Sequence, residues 1–119
     1  MYLINSNYRL ILFWNIGKLV FEEQNKFDNV TSKYSIYFQY KYGMTECFSR
    51  KNIILMKKLY FYFHIFNSSL LKLSWEHYIE LLKINVCSKR MFYYKLAVFS
   101  MGTSFDLADA IGNYVYERI

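Results

Sequence analysis

The chain has 119 residues, of which 55% are hydrophobic; it contains four glycines and no proline, and its formal net charge is +6. This length suits a single domain over residues 1–119, and the scarcity of Gly and Pro favours long helices over a fold with many tight turns. Two cysteines without CxxC spacing and no secretory signal exclude a disulfide-rich secreted protein and predict a cytoplasmic protein with reduced thiols.

Apolar spacing and capping residues predict six helices and therefore an all-α fold, a compact helical bundle. The first helix is expected over about residues 6–24, with its apolar stripe at positions 12, 13, 16, 19 and 20. The second is expected over about residues 30–42 and ends at Gly43, although its alternating aromatic residues would also suit a strand. A third helix is expected from a capping Ser49 to about Phe66, and a fourth over about residues 75–84. A fifth should start near Ser88 and end by Gly102, and Ser104 should cap the last helix. No segment has the ~20 apolar residues that a membrane span requires.

The third predicted helix separates a basic face from an apolar face. At about 100° per residue, four cations fall within roughly a third of its circumference. They are Arg50, Lys51, Lys57 and Lys58. The opposite side carries Leu55, Met56, Leu59, Tyr60, Phe63 and Phe66.

Such a basic face, after a shorter helix and a glycine-containing turn, fits the recognition helix of a helix-turn-helix protein. Its cations would bind phosphates, and its Arg could read guanine edges. A lysine-bearing face is also common on ordinary solvated surface, and the connection over residues 43–48 is longer than the usual turn. The residues alone therefore leave both interpretations open.

Two further residues at the start of this helix have structural interpretations. Ser49 is the expected N-cap. Asn52 could read adenine, but it projects toward the apolar side, so we predict a hydrogen bond to the preceding loop instead.

The positive charge is concentrated in the middle of the chain. Residues 41–95 hold ten Lys or Arg and three acidic residues, a net of +7, so the remainder nets −1. This field would steer DNA to the middle helices, whereas the last helix would repel it. An AT-rich genome also enriches Lys and Asn in any protein, so composition alone does not establish a polyanion partner.

No pattern for catalysis or for a cofactor is present. Metal-dependent nuclease chemistry needs paired carboxylates and a nearby Lys, and the chain has no Asp-x-Lys or Glu-x-Lys tripeptide. His64 and His77 have no ligand at metal spacing, and Cys47 and Cys87 have no identifiable base. We therefore expect no enzyme activity, no metal and no cofactor.

The histidines and tryptophans are assigned structural roles. We predict that His64 is partly buried with one hydrogen bond, and that Trp14 and Trp75 are core aromatics. His77 is expected to orient the loop before the fourth helix through a hydrogen bond. Contact of His77 with a phosphate or a partner protein is the alternative.

Residues 73–82 read Leu-Ser-Trp-Glu-His-Tyr-Ile-Glu-Leu-Leu. They resemble the Leu-Ser-Trp-x-His-Tyr-Ile-x-Leu-Leu segment of the YhcG-type N-terminal domain. Residues 10–18, 34–38, 48–53 and 111–119 resemble further segments of that domain, so the resemblance covers about residues 8–119. Its motif positions include Ser49, Asn52, Trp75, His77 and Tyr78.

In this bacterial family the domain stands before a PD-(D/E)xK nuclease-like domain and is regarded as a helix-turn-helix DNA-binding module. The resemblance implies an all-α fold with a helix-turn-helix-like core and DNA as the partner, and it supports a helix over residues 30–42. The chain would be non-catalytic, because the nuclease domain is not part of it.

The sequence departs from the family in its second helix, where aromatic residues replace the usual Lys, Asp and Glu. Exposed aromatic residues mark protein interfaces. A protein–protein module that forms a homodimer or docks on a separately encoded nuclease half is therefore the alternative function. A third possibility is a decayed gene fragment that folds without an activity of its own.

Overall fold

The computed structural model of the chain describes residues 6–24 and 29–119. Its six α-helices are α1 (Ser6–Gln24), α2 (Val30–Tyr42), α3 (Arg50–Tyr62), α4 (Trp75–Leu82), α5 (Cys87–Ser100) and α6 (Ser104–Gly112). Short 3-10 helices cover Glu46–Phe48, Ser68–Lys72 and Tyr116–Arg118. The described residues contain no strand, so the all-α prediction is confirmed, including the helix over the aromatic residues of α2.

The contacts divide the chain into two compact units. One is formed by Tyr8–Ile65 and contains α2, α3 and nearly all of α1; the other is built on Phe66–Ile119 and contains α4 to α6. The prediction of a single domain over residues 1–119 stays a prediction.

In the unit of Tyr8–Ile65, α1 contacts α3 at very short range. The side chains of α1 that are buried are Leu10, Phe13, Ile16 and Val20. Leu12 and Leu19 of the predicted stripe are only half-buried. A Cβ atom added to Gly17 would lie 1.9 Å from the carbonyl oxygen of Met56 in α3. The two helix backbones can therefore approach this closely only because residue 17 has no side chain.

The third helix ends at Tyr62, so its predicted extension to residue 66 is wrong. Phe63 leaves the helix with φ −127° and ψ 58°. In this position its side chain is buried and its carbonyl oxygen accepts a hydrogen bond of 2.9 Å from Nε1 of Trp14. Phe66 is 37% exposed and does not extend the buried apolar face, which instead includes Ile53.

The end of α3 also corrects the prediction for His64. Because the helix has already ended, His64 is exposed rather than partly buried. Trp14 is half-buried, whereas Trp75 is 5% exposed and is a core residue as predicted.

The N-cap of α6 differs from the prediction. Thr103, not Ser104, is the N-cap of α6: its hydroxyl accepts from the backbone N–H of Asp106 at 3.1 Å. The Asp106 carboxylate accepts in turn from the backbone N–H of Thr103 at 2.8 Å. A capping box needs a spacing of three residues, which Thr103 and Asp106 have. α5 ends at Ser100, in agreement with the prediction that it ends by Gly102, and Met101 after it adopts the left-handed conformation with φ 57°.

Three polar side chains inside the unit of Phe66–Ile119 form hydrogen bonds with backbone atoms. The Tyr78 hydroxyl donates to the carbonyl oxygen of Leu70 at 2.6 Å, and burial raises the pKa of this hydroxyl. Nη1 of the buried Arg90 donates to the carbonyl oxygen of Ile84 at 2.7 Å. The Tyr93 hydroxyl accepts from the backbone N–H of Tyr116 at 3.0 Å. These bonds satisfy buried polar groups that would otherwise destabilise the fold.

Candidate nucleic-acid interface

The connection between α2 and α3 is held by an aromatic cluster. Phe48 is buried, and its ring lies 5.8 Å from that of Phe38 and 5.3 Å from that of Tyr42. The hydroxyl of Ser35 donates to the carbonyl oxygen of Phe48 at 2.7 Å. At the end of α2, Gly43 has φ 108° and its N–H donates to the carbonyl oxygen of Gln39. The start of α3 is therefore fixed against α2.

The first turn of α3 is capped as the sequence predicts. The Ser49 hydroxyl accepts from the backbone N–H of Asn52 at 3.2 Å. Nδ2 of Asn52 donates to the carbonyl oxygen of Glu46 at 2.6 Å, which is the predicted bond to the preceding loop. The Asn52 side chain thus ties the helix to the 3-10 turn before it.

Replacing Asn52 by alanine should lower the free energy of unfolding by about 1 kcal/mol, the usual net contribution of one hydrogen bond. Urea unfolding followed by circular dichroism measures this loss. Asn15→Ala is the matched control, because the Asn15 amide is exposed and bonds only within its own helix. Equal stability of the Asn52 variant and the wild type would show that the bond contributes nothing.

The predicted basic residues all lie on α3 and on one side of it. Arg50 and Lys51 are exposed, whereas Lys57 and Lys58 are half-buried. Nζ of Lys58 lies 5.7 Å from the ring centre of Tyr62, within the range of a cation–π contact. We call these four residues the basic stripe. The structure brings them together on one helix face; DNA contact by them stays a prediction.

Two apolar residues within the basic stripe escaped the sequence prediction. Ile54 is 43% exposed and Phe61 is 56% exposed. At about 100° per residue, both lie in the middle of the arc that the four cations span. The same angular calculation could have found them in the sequence. The solvent-facing side of α3 therefore has cations at its edges and an apolar centre.

This apolar centre forms part of an open groove with a volume of about 270 Å³. Phe21 of α1 forms the other wall, and its ring centre lies 5.7 Å from that of Phe61. The groove is lined by Phe21, Ile54, Lys57, Lys58, Phe61 and Tyr62. Its position between α1 and α3 could not be read from the sequence, because it depends on the contact between these helices.

The family-like residues of α4 face inward. Trp75 and Tyr78 are buried, and His77 is 9% exposed. Nδ1 of His77 accepts from the backbone N–H of Ser74 at 3.1 Å and completes a capping box. Nε2 lies 2.9 Å from the carbonyl oxygen of Gly102 and therefore carries the proton, since a carbonyl oxygen only accepts. The predicted hydrogen bond to the loop before α4 is present, and both ring nitrogens of His77 have partners.

The aromatic second helix exposes a separate surface. Ile36 is 71% exposed, Tyr37 49% and Tyr40 90%. These residues share one side of α2 with the exposed Lys33 and Lys41. We call this set the aromatic face of α2.

Within residues 6–24 and 29–119, no group of three or more His, Cys, Asp or Glu side chains is arranged to hold a metal ion. Cys47 is half-buried and Cys87 is exposed, and both thiols are free. No helix in the described part of the chain combines the length and the apolar character needed to cross a membrane.

Comparison with known proteins identifies one family whose model matches the chain. The family model described as the DUF1016 N-terminal domain matches residues 2–118. It is the family of the YhcG-type N-terminal domain that residues 73–82 resemble. No curated protein and no solved structure matches the chain.

Proposed function

The chain belongs to the DUF1016 N-terminal domain family, and from this premise we propose that it is a cytoplasmic DNA-binding helical domain that is non-catalytic by itself. The observation that carries the proposal is the basic stripe on the solvent-facing side of α3. The helix is anchored by its contacts with α1 and α2, so it can present these side chains in a fixed orientation.

In this proposal the two ends of α3 have different tasks. Arg50 lies in the first turn, where recognition helices usually reach base edges, and its guanidinium can donate two hydrogen bonds to one guanine. Lys57 and Lys58 lie two turns further along and would contact phosphates, which fix the register but carry no sequence information. The net charge of +7 over residues 41–95 would attract the polyanion from a distance.

We expect Lys57→Ala/Lys58→Ala to weaken binding to all duplexes similarly and to reduce the slope of log K against log salt by up to about two, since each phosphate contact contributes about −0.9. Arg50→Ala should in addition relax any sequence preference. Fluorescence anisotropy over a salt series measures the slope. Lys72→Ala/Lys95→Ala is the matched control, because it removes the same charge from exposed positions in the other unit.

The two double variants separate a specific interface from overall charge. If the control lowers the slope as much as the α3 variant does, only net charge is involved and the basic stripe is not the contact. A wild-type protein without salt-sensitive binding to any duplex would contradict the proposal as a whole.

A second candidate function is a protein–protein module that docks on a separately encoded nuclease half. The aromatic face of α2 favours it, because large apolar side chains that are 49–90% exposed are typical of interfaces. In this case Ile36→Ser/Tyr40→Ser should abolish copurification with the nuclease half, whereas the Lys57/Lys58 double variant should retain it. The opposite result would exclude this face.

A further inference from the structure

The groove between α1 and α3 has a composition that a phosphate backbone does not match. Phosphates can pair with its lysines, but they leave the exposed Ile54 and Phe61 in contact with water. Burial of apolar surface stabilises an interface, and phosphates offer no apolar surface to these two side chains. A better occupant would cover this apolar centre and also bring negative charge to Lys57.

Such an occupant needs a large apolar side chain and a carboxylate about one helical turn apart. Lys57 and Phe61 are separated by four residues on α3, and Ile54 precedes Lys57 by three. Residues three or four apart lie side by side on a helix surface. A helix that carries an aromatic residue and an acidic residue four positions apart would match this spacing.

The chain itself contains such a helix. On α6, Phe105 is 80% exposed and Asp109, four residues later, is exposed on the same side. After Lys95 the chain holds one basic residue, Arg118, and three acidic residues, Asp106, Asp109 and Glu117, a net of −2. α6 therefore carries an exposed aromatic side chain and a negative charge that complement the apolar centre and the lysines of the groove.

We propose that α6 of a second copy of the chain docks in the groove between α1 and α3. Phe105 of one copy covers Ile54 and Phe61 of the other, and Asp109 pairs with Lys57. Unlike charges on the two surfaces orient the copies as they approach: α3 carries four cations and no acidic residue, whereas α6 carries Asp106 and Asp109 and no basic residue. The interaction does not require DNA binding; it uses the same face of α3, so duplex DNA and α6 would compete for it.

Charge reversal tests the pairing directly. By sedimentation velocity, the wild type is expected to self-associate, and Lys57→Glu and Asp109→Lys are each expected to raise the dissociation constant at least tenfold. An equimolar mixture of the two variants should recover association, because the carboxylate introduced at position 57 then faces the ammonium group introduced at position 109, while the wild-type pair forms at the other contact. Circular dichroism of each variant reports the fold, which these solvent-facing changes should preserve.

A separate variant tests whether burial of the Phe105 side chain contributes to self-association. Phe105→Ser should weaken self-association as much as either charge reversal. Phe99→Ser is the matched control, because Phe99 is also 80% exposed but lies on α5; it should leave association unchanged. A wild type that stays monomeric at high protein concentration, or charge-reversed variants whose mixture does not associate, would overturn the proposal. DNA binding that persists in such a monomer would leave the proposed function intact.

Discussion

Gly17→Ala is expected to lower the free energy of unfolding by about 3 kcal/mol or more, the upper range of overpacking in a protein core. The new Cβ would lie 1.9 Å from the carbonyl oxygen and 2.5 Å from the carbonyl carbon of Met56. Both are backbone atoms of α3, so no side-chain rotation relieves the overlap. α1 and α3 would have to separate, which opens the core around Phe13 and Ile53. Urea unfolding of the variant measures the loss.

Gly112→Ala is the matched control for this prediction. Apart from its own chain neighbours and the backbone of its own helix, no described atom lies within 4 Å of a Cβ built at Gly112, so the same methyl group meets open space. Since alanine favours helix over glycine by up to about 1 kcal/mol, this variant should be as stable as the wild type or slightly more stable. If Gly17→Ala behaves like Gly112→Ala, the close contact between α1 and α3 does not exist in solution.

The second large effect is expected for His77→Ala, which should lower the free energy of unfolding by about 3 kcal/mol. The variant leaves the backbone N–H of Ser74 and the carbonyl oxygen of Gly102 without their partner, and an unpaired buried group costs about 1–3 kcal/mol. His77 is 9% exposed, so water replaces the ring only in part. Denaturant unfolding measures the change in stability, and hydrogen exchange at the Ser74 amide locates it.

Two further variants divide this loss between the two bonds of the ring. His77→Asn retains an acceptor close to the position of Nδ1 and should recover the capping bond but not the bond to Gly102. Ser74→Ala removes the other half of the capping box and should lower the free energy of unfolding by about 1 kcal/mol. The prediction would be wrong if His77→Ala cost no more than Ser74→Ala, since the bond to Gly102 would then contribute nothing.

Local signals predicted α1 and its bounds, and the bounds of α2 agree with the structure as well, but the helical prediction for α2 needed the family resemblance because its aromatic residues would also suit a strand. α2 ends where Gly43 can adopt φ 108°, a conformation that favours glycine and is visible in the sequence as an isolated Gly after a helical run. The hydrogen bond of Asn52 was predictable as well, because angular position alone points its side chain away from the basic stripe. In each case the relevant partners lie within a few residues of the chain.

Contacts between distant residues account for what the sequence did not reveal. α3 stops at Tyr62, and the carbonyl oxygen of the next residue, Phe63, accepts a hydrogen bond from Trp14, which is 49 residues away. The short approach at Gly17 and the groove wall formed by Phe21 likewise need the packing of α1 on α3. At α6 the error was local: both Thr103 and Ser104 are good caps, and only Asp106, three residues after Thr103, distinguishes them.

The left-handed conformation of Met101 shows that this sequence has not reached the highest stability that its fold allows. A side chain in this conformation costs about 1 kcal/mol relative to glycine, and the Met101 side chain is 88% exposed, so little burial offsets the cost. The glycine lies one position later, where an added Cβ would come within 2.9 Å of the Asp106 carboxylate. Selection removes only variants whose stability falls below the threshold that function needs, so such a cost can persist. The connection between α5 and α6 is therefore a site where a substitution could raise the free energy of unfolding without altering the core.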